Sequence, residues 1–252
     1  MIPISTLVFA NRRSAAQALA AELRPYATPD AVVLGITRGG VVVAHEVARL
    51  LGLPLDVLVV QRIRLPDQPW HSVGALAEPG HMVVNRRRLR GLAVRAHPLR
   101  PAITQGIQEV QLRAAGYRGS RQRLEPVDQR VILIDDTAAT GSTLRVSVKA
   151  VRALGAREII VALPVAPTAV VEWLRGHVDH TVCLTRSAML ITDKVHYPLA
   201  LQETEADLQA MLAEAESRKR GQVPVRYDIT RVVREGTLVP VEHKTETTNN
   251  AR

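Results

Sequence analysis

Residues 131–143 read Val-Ile-Leu-Ile-Asp-Asp-Thr-Ala-Ala-Thr-Gly-Ser-Thr, and they constrain this chain more than any other segment. Four consecutive aliphatic residues make the kind of run that a strand buried on both faces requires. Two adjacent carboxylates, Asp135 and Asp136, end the run. A loop of small residues follows, and then a helical pattern through Leu154 stopped by Gly155. A buried strand therefore delivers two acids to the carboxyl edge of a sheet, and a helix begins a few residues later. Thr140, Gly141, Ser142 and Thr143 offer backbone N–H groups and three hydroxyls at that helix N-terminus. Such a terminus binds anions and suits a phosphate monoester. The two acids can hold sugar hydroxyls directly or through a divalent cation. Both together match a ribose 5-phosphate group. The plainer alternative is a capped strand–turn–helix junction in which the acids and hydroxyls serve only the turn.

The rest of the chain repeats the strand–loop–helix theme. Residues 11–23 carry Ala15, Ala18, Leu19 and Leu23 on one helical face. Residues 31–36 are a continuous apolar run, followed by the turn Thr37-Arg-Gly-Gly40, a helix over 41–51 ended by Gly52, and a strand over 55–60. Residues 61–79 are polar, hold three prolines, and read as a long loop. A short strand is expected at 81–84, a basic stretch at 86–95, and a weak helix at 101–122 whose thin apolar stripe suits a place over an opening. Further strands are expected at 158–163 and 178–184, with a short helix at 168–174 between them and an amphipathic helix at 203–217. The pattern predicts an α/β fold, a doubly wound, mostly parallel sheet of five strands. Residues 218–252 read as a basic and polar extension, with 244–252 disordered. A P-loop is excluded because no Gly-x-x-x-x-Gly-Lys-Ser/Thr occurs, and a dinucleotide fingerprint because no Gly-x-Gly-x-x-Gly occurs.

Composition narrows the function classes. The net charge is +9, with 29 arginines against four lysines. Guanidinium groups favour phosphate oxygens, although biased genomic composition yields the same surplus. Only seven residues are aromatic, which argues against binding single strands by stacking. A single cysteine, Cys183, rules out an intrachain disulfide and reads as core. No secretory signal and no apolar run of membrane-spanning length is seen, so the expected compartment is the cytoplasm, with no membrane partner. The histidines form no ligand pair on a confident helix, and Ser14, Ser142 and Ser187 lack a nucleophile-elbow context. Tyr197 is placed either to stack on a planar acceptor or to pack at the surface.

Residues 131–143 resemble the phosphoribosyl-diphosphate motif of the type I phosphoribosyltransferases. Residues 34–48, Leu-Gly-Ile-Thr-Arg-Gly-Gly-Val-Val-Val-Ala-His-Glu-Val-Ala, are similar to the diphosphate loop and helix of that family, closest to an uncharacterised bacterial subgroup. Val73-Gly-Ala-Leu76 before Glu78 also resembles that subgroup. The resemblance covers roughly residues 10–215. It implies a Rossmann-like sheet with a small hood, drawn here from residues 61–125 and 185–200. It implies Mg²⁺, 5-phosphoribosyl 1-diphosphate and a nitrogenous base as ligands, and a homodimer. By position, Asp135 and Asp136 would contact the ribose hydroxyls and organise the metal. Thr137, Ala138, Ala139, Thr140, Gly141, Ser142 and Thr143 would surround the 5-phosphate. Thr37, Arg38, Gly39 and Gly40 would hold the diphosphate through backbone N–H groups, with Arg62 beside it; a plain surface Arg is the other reading of Arg62. Two departures stand out: Ala139 replaces the third acid of the hypoxanthine-type enzymes, and Gln68-Pro69-Trp70 lacks the acid of the subgroup's Asn-Pro-Glu stretch. The expected activity is transfer of the phosphoribosyl group to a base in nucleotide salvage. The alternative is a non-catalytic sensor of the same ligand that binds nucleic acid through a basic face such as Arg86-Arg-Arg88.

Overall fold

The computed structural model describes residues 9–65, 68–91, 99–138, 140–187, 197 and 203–221, with backbone only at 68–71 and 219–221. The order is α1 (Arg12–Leu23), β1 (Ala31–Ile36), α2 (Gly39–Leu51) and β2 (Leu55–Leu58). An antiparallel excursion follows: β3 (Val60–Leu65), β4 (Gln68–Ala77) and β5 (His81–Val84), then α3 (Arg86–Gly91) and α4 (Leu99–Arg118). The main sheet resumes with β6 (Arg130–Ile134), α5 (Ser142–Ala153), β7 (Glu158–Pro167), α6 (Thr168–Arg175) and β8 (His180–Ser187), and α7 (Glu205–Gly221) comes last.

The five-stranded sheet has the order β2-β1-β6-β7-β8, and every neighbouring pair is parallel. Alternate side chains enter two layers, as the pleat requires. Val33, Ile132, Ile134 and Ile160 join the α1, α2 and α7 layer; Val32, Leu34, Val131, Leu133 and Val161 join the α5 and α6 layer. The chain leaves β1 towards β2 on one side and leaves β6 towards β7 on the other. The carboxyl ends of β1 and β6 therefore flank a topological switch point, where open α/β sheets bind ligands. Both sequence motifs end there. No helix among the described residues is long and apolar enough to cross a membrane.

The loop expected at 61–79 is instead the hairpin β3–β4. Its signal was present: in Arg62-Ile-Arg-Leu65 the aliphatic residues are buried and the arginines exposed, a two-residue period that the flanking prolines obscured. The helix expected at 101–122 runs over Leu99–Arg118, and its thin stripe buries Val110, Ala114 and Tyr117 against the hairpin and α7. The last helix continues to Gly221, past the expected end at 217; residues 222–252 lie outside the described residues, as do 188–196 and 198–200 of the expected hood.

A buried ion cluster joins this hood to the sheet. Arg118 at the end of α4 donates to Glu78 Oε2 at 2.6 Å, to Asp56 Oδ2 at 3.2 Å and to the Val57 carbonyl at 2.6 Å. Glu78 also accepts from the Val59 N–H and Asp56 from the Leu124 N–H. Each charge is thus paired and hydrogen-bonded, the condition under which burial of ions is tolerated.

Candidate active site

A cavity of about 470 Å³ opens at the carboxyl edge of β1 and β6, between the sheet and the hood. Thr37, Arg38, Gly39, Arg62, Asp135, Asp136, Thr137 and Thr143 line it. The remaining expected residues that the structure describes stand apart from its wall. Gly40 packs behind it, Ala138 is buried in the α5 layer, and Thr140, Gly141 and Ser142 lie beyond the lining at the start of α5. Ala139 lies outside the described residues, as does the side chain of Trp70.

Two helices aim their N-termini at this edge. Neither α2 nor α5 has a side-chain cap, so their first N–H groups are available to an anion. The approach of α2 demands glycine. A Cβ on Gly39 would stand 1.9 Å from Asp136 Oδ2, and one on Gly40 would stand 2.7 Å from the Ile134 carbonyl oxygen. Gly141, which precedes α5, has φ +71°, and a Cβ there would meet Val170 rather than the cavity. Its glycine is explained by backbone conformation, not by clearance for a phosphate. Thr37 is partly spent on structure: its N–H donates to the Leu58 carbonyl, and its hydroxyl accepts from the Val60 N–H at 3.0 Å.

The acid pair is buried and unequal. Burial first, and then the neighbouring Asp136 carboxylate, push Asp135 well above the ordinary carboxylate range, while Arg62 pulls the other way. Asp136 accepts from Arg12 Nε at 2.8 Å, and the buried Tyr197 hydroxyl donates to its carbonyl at 2.7 Å. Arg12 lies over the Tyr197 ring, 5.4 Å from its centre, and also donates to Glu203 at 3.3 Å. Tyr197 is thus a buried support for the acid pair, neither a stacking platform nor a surface residue.

Sequence reasoning missed Arg12, Gln61, Arg64, Arg113 and Glu203, all of which line the cavity. Arg12 gave one signal, since it falls on the buried face of α1 just after its Asn11 cap. Arg113 donates to Gln61 Oε1 at 2.7 Å, and Gln61 donates to Glu109 at 2.9 Å. No group of three or more His, Cys, Asp or Glu that could hold a metal occurs among the described residues. His177 stacks on Trp173, and His180 packs against Tyr26 and Glu158. Burial pushes the Cys183 thiol up to about 11, so it stays protonated.

The family described as "Phosphoribosyl transferase domain" matches residues 6–204. Two Mycobacterium tuberculosis proteins, from strains CDC 1551 / Oshkosh and ATCC 25618 / H37Rv, each carry the name "Putative phosphoribosyl transferase". Each is 34% identical over 208 residues, which is 82% of this chain and 47% of the relative. The chain therefore spans about half the length of these curated relatives. The crystal structure of TT1426 from Thermus thermophilus is 34% identical, with a TM-score of 0.68, covering 82% of this chain and 98% of that one.

Proposed function

The chain belongs to the phosphoribosyl transferase family, and from that premise we propose that it binds 5-phosphoribosyl 1-diphosphate with Mg²⁺ and transfers the phosphoribosyl group to a nitrogen nucleophile. One observation carries this most: the uncapped N-terminus of α2 and Thr143 in the first turn of the uncapped α5 line one cavity with a buried acid pair at the switch point of the sheet. The N-terminus of α5 takes the 5-phosphate, with Thr143 facing it. The N-terminus of α2, with Arg38 and Arg62, takes the diphosphate. Asp136, held by Arg12 and Tyr197, accepts from a ribose hydroxyl in a fixed orientation. Asp135 faces the same sugar, and burial makes its charge costly until a cation arrives.

The donor set fits Mg²⁺ as a shared ligand. Two carboxylates make an incomplete coordination shell, and Mg²⁺ is usually held by one or two carboxylates plus substrate phosphates. Asp135 and Asp136 would hold it, and when bound it would neutralise charge on the leaving diphosphate. The backbone N–H groups of α2 and the Arg62 guanidinium stabilise that same developing charge without reorganising.

The test is calorimetric titration with 5-phosphoribosyl 1-diphosphate and MgCl₂, followed by a screen of purines and pyrimidines for diphosphate release. Replacing Asp135 and Asp136 together by Asn should weaken Mg²⁺-dependent binding by about 1.5–3 kcal/mol per lost charged hydrogen bond. Unchanged affinity in that variant would remove the acids from the site. Tight binding with no diphosphate released from any base would replace the transferase by a sensor of the same ligand.

A further inference from the structure

The donor as proposed above uses the two helix N-termini, the acid pair, Arg38 and Arg62. Arg64 and Arg113 remain. Both line the same cavity, on its hood side. Arg64 follows Arg62 by two residues on β3, and the two share the exposed face of that strand. Strand rise carries Arg64 about 6–7 Å further from the sheet edge. The register shifts on both sides of Arg64, and such irregularities re-aim side chains beside functional sites. Arg64 makes no hydrogen bond or ion pair with the described residues. Arg113 comes from α4 and is steered into place by Gln61, which Glu109 holds in turn. Its partner is a neutral amide, so its charge is not cancelled there.

The make-up of the described wall is equally informative. Of the fourteen described residues that line the cavity, five are arginines, Val60 is the one aliphatic residue, and none is aromatic. A neutral heteroaromatic ring is ordinarily held by apolar or aromatic walls with a few polar groups. Here the wall facing away from the donor's loops presents planar, bidentate cations, the recognition chemistry of carboxylate and phosphate.

We infer that the acceptor carries an anionic group of its own, a carboxylate or a phosphate, seated on Arg64 and Arg113. This rests on the transferase reading, and the experiment separates the two. The wild-type protein is first titrated with 5-phosphoribosyl 1-diphosphate and MgCl₂. Absence of binding overturns the transferase reading and this inference with it. The protein is then saturated with ribose 5-phosphate, which has no leaving group, and titrated with matched probes. Orotate against uracil tests a carboxylate; cytidine 5′-monophosphate against cytidine tests a phosphate. The anionic member of one pair should bind at least about tenfold more tightly, as charge-assisted bidentate contacts require. Arg64→Gln and Arg113→Gln should each reduce that preference, read as a ratio within one variant so that general weakening cancels. Equal affinity within both pairs, or a preference that survives both substitutions, overturns the inference while leaving the donor site intact.

Discussion

At the sheet edge, Asp136 is held from several sides. Arg12 donates to its carboxylate, the Tyr197 hydroxyl donates to its carbonyl, and Gly39 lies so close that no Cβ fits between. On the hood wall, Arg62 and Arg64 project from an exposed strand face, and Arg113 is guided by one amide. One cavity thus has a rigid side and an adaptable side. Buried, mutually bonded groups cost little reorganisation when charge develops beside them. Exposed arginines carry about 2 kcal/mol of rotamer entropy each, part of which is lost on binding. The rigid side suits a ligand whose geometry is constant, and the adaptable side suits one recognised by charge.

The two sides are joined through Arg118, and cutting that link should have the largest effect. Arg118→Met leaves Asp56 and Glu78 buried without their cation. A loss of about 3–5 kcal/mol in unfolding free energy is expected, measured by urea denaturation. Arg118→Lys should recover only part, since an ammonium cannot reach Glu78, Asp56 and the Val57 carbonyl as one planar fork does. A loss below about 1 kcal/mol, the range of an exposed pair, would mean that the hood is anchored elsewhere.

Next in size is a single methyl group on the rigid side. Gly39→Ala forces the Asp136 carboxylate and Arg12 to move, because the new Cβ would lie 1.9 Å from Oδ2 and 2.8 Å from Arg12 Nε. Binding of ribose 5-phosphate should fall at least about 100-fold, the scale of losing one or two charged hydrogen bonds. Gly116→Ala on α4 is the matching change in the hood, where a Cβ meets nothing within 4 Å. It should leave binding as it was and add about 0.5–1 kcal/mol of stability. Equal binding by both variants would erase the contrast between the two sides.

The same contrast governs what could be read from the sequence. The five parallel strands, the acid pair and the glycine turn were legible because each is local: an apolar run, two carboxylates, a helix start. The hairpin was not, although Arg62-Ile-Arg-Leu65 alternates cleanly, because Pro66 and Pro69 marked the stretch as loop. Arg12 showed only its place on the buried face of α1, because it lies 124 positions from its partner Asp136 and nothing local says that α1 meets the end of β6. Gly141 stands out in the sequence as part of a phosphate cradle, but its left-handed backbone is what demands glycine. Clearance beside an acid is what Gly39 supplies.

The smallest expected effect concerns Asp135 and has a definite sign with pH. Its carboxyl lies well above the ordinary 3.8 in the folded protein, chiefly through burial and then through Asp136. As pH rises from 3.8 towards that raised value, the unfolded chain releases the proton while the native protein keeps it. The native state then binds more protons than the unfolded one, so Asp135 lowers stability as pH rises through this window, and the full penalty persists above it. Asparagine cannot ionise. Asp135→Asn should therefore be the more stable protein at pH 8, by about 1 kcal/mol or a few degrees in Tm. That advantage should vanish below about pH 4, where the unfolded wild-type chain is protonated as well. Arg64→Gln on the adaptable side removes an exposed charge and should show no such crossover. Adding 5-phosphoribosyl 1-diphosphate with MgCl₂ should raise the wild-type Tm more than that of Asp135→Asn, because only the wild type gains a counter-charge for the buried acid. Equal Tm values for both proteins at pH 8 would mean that Asp135 bears no penalty, and that the rigid side stores none of its cost in this acid.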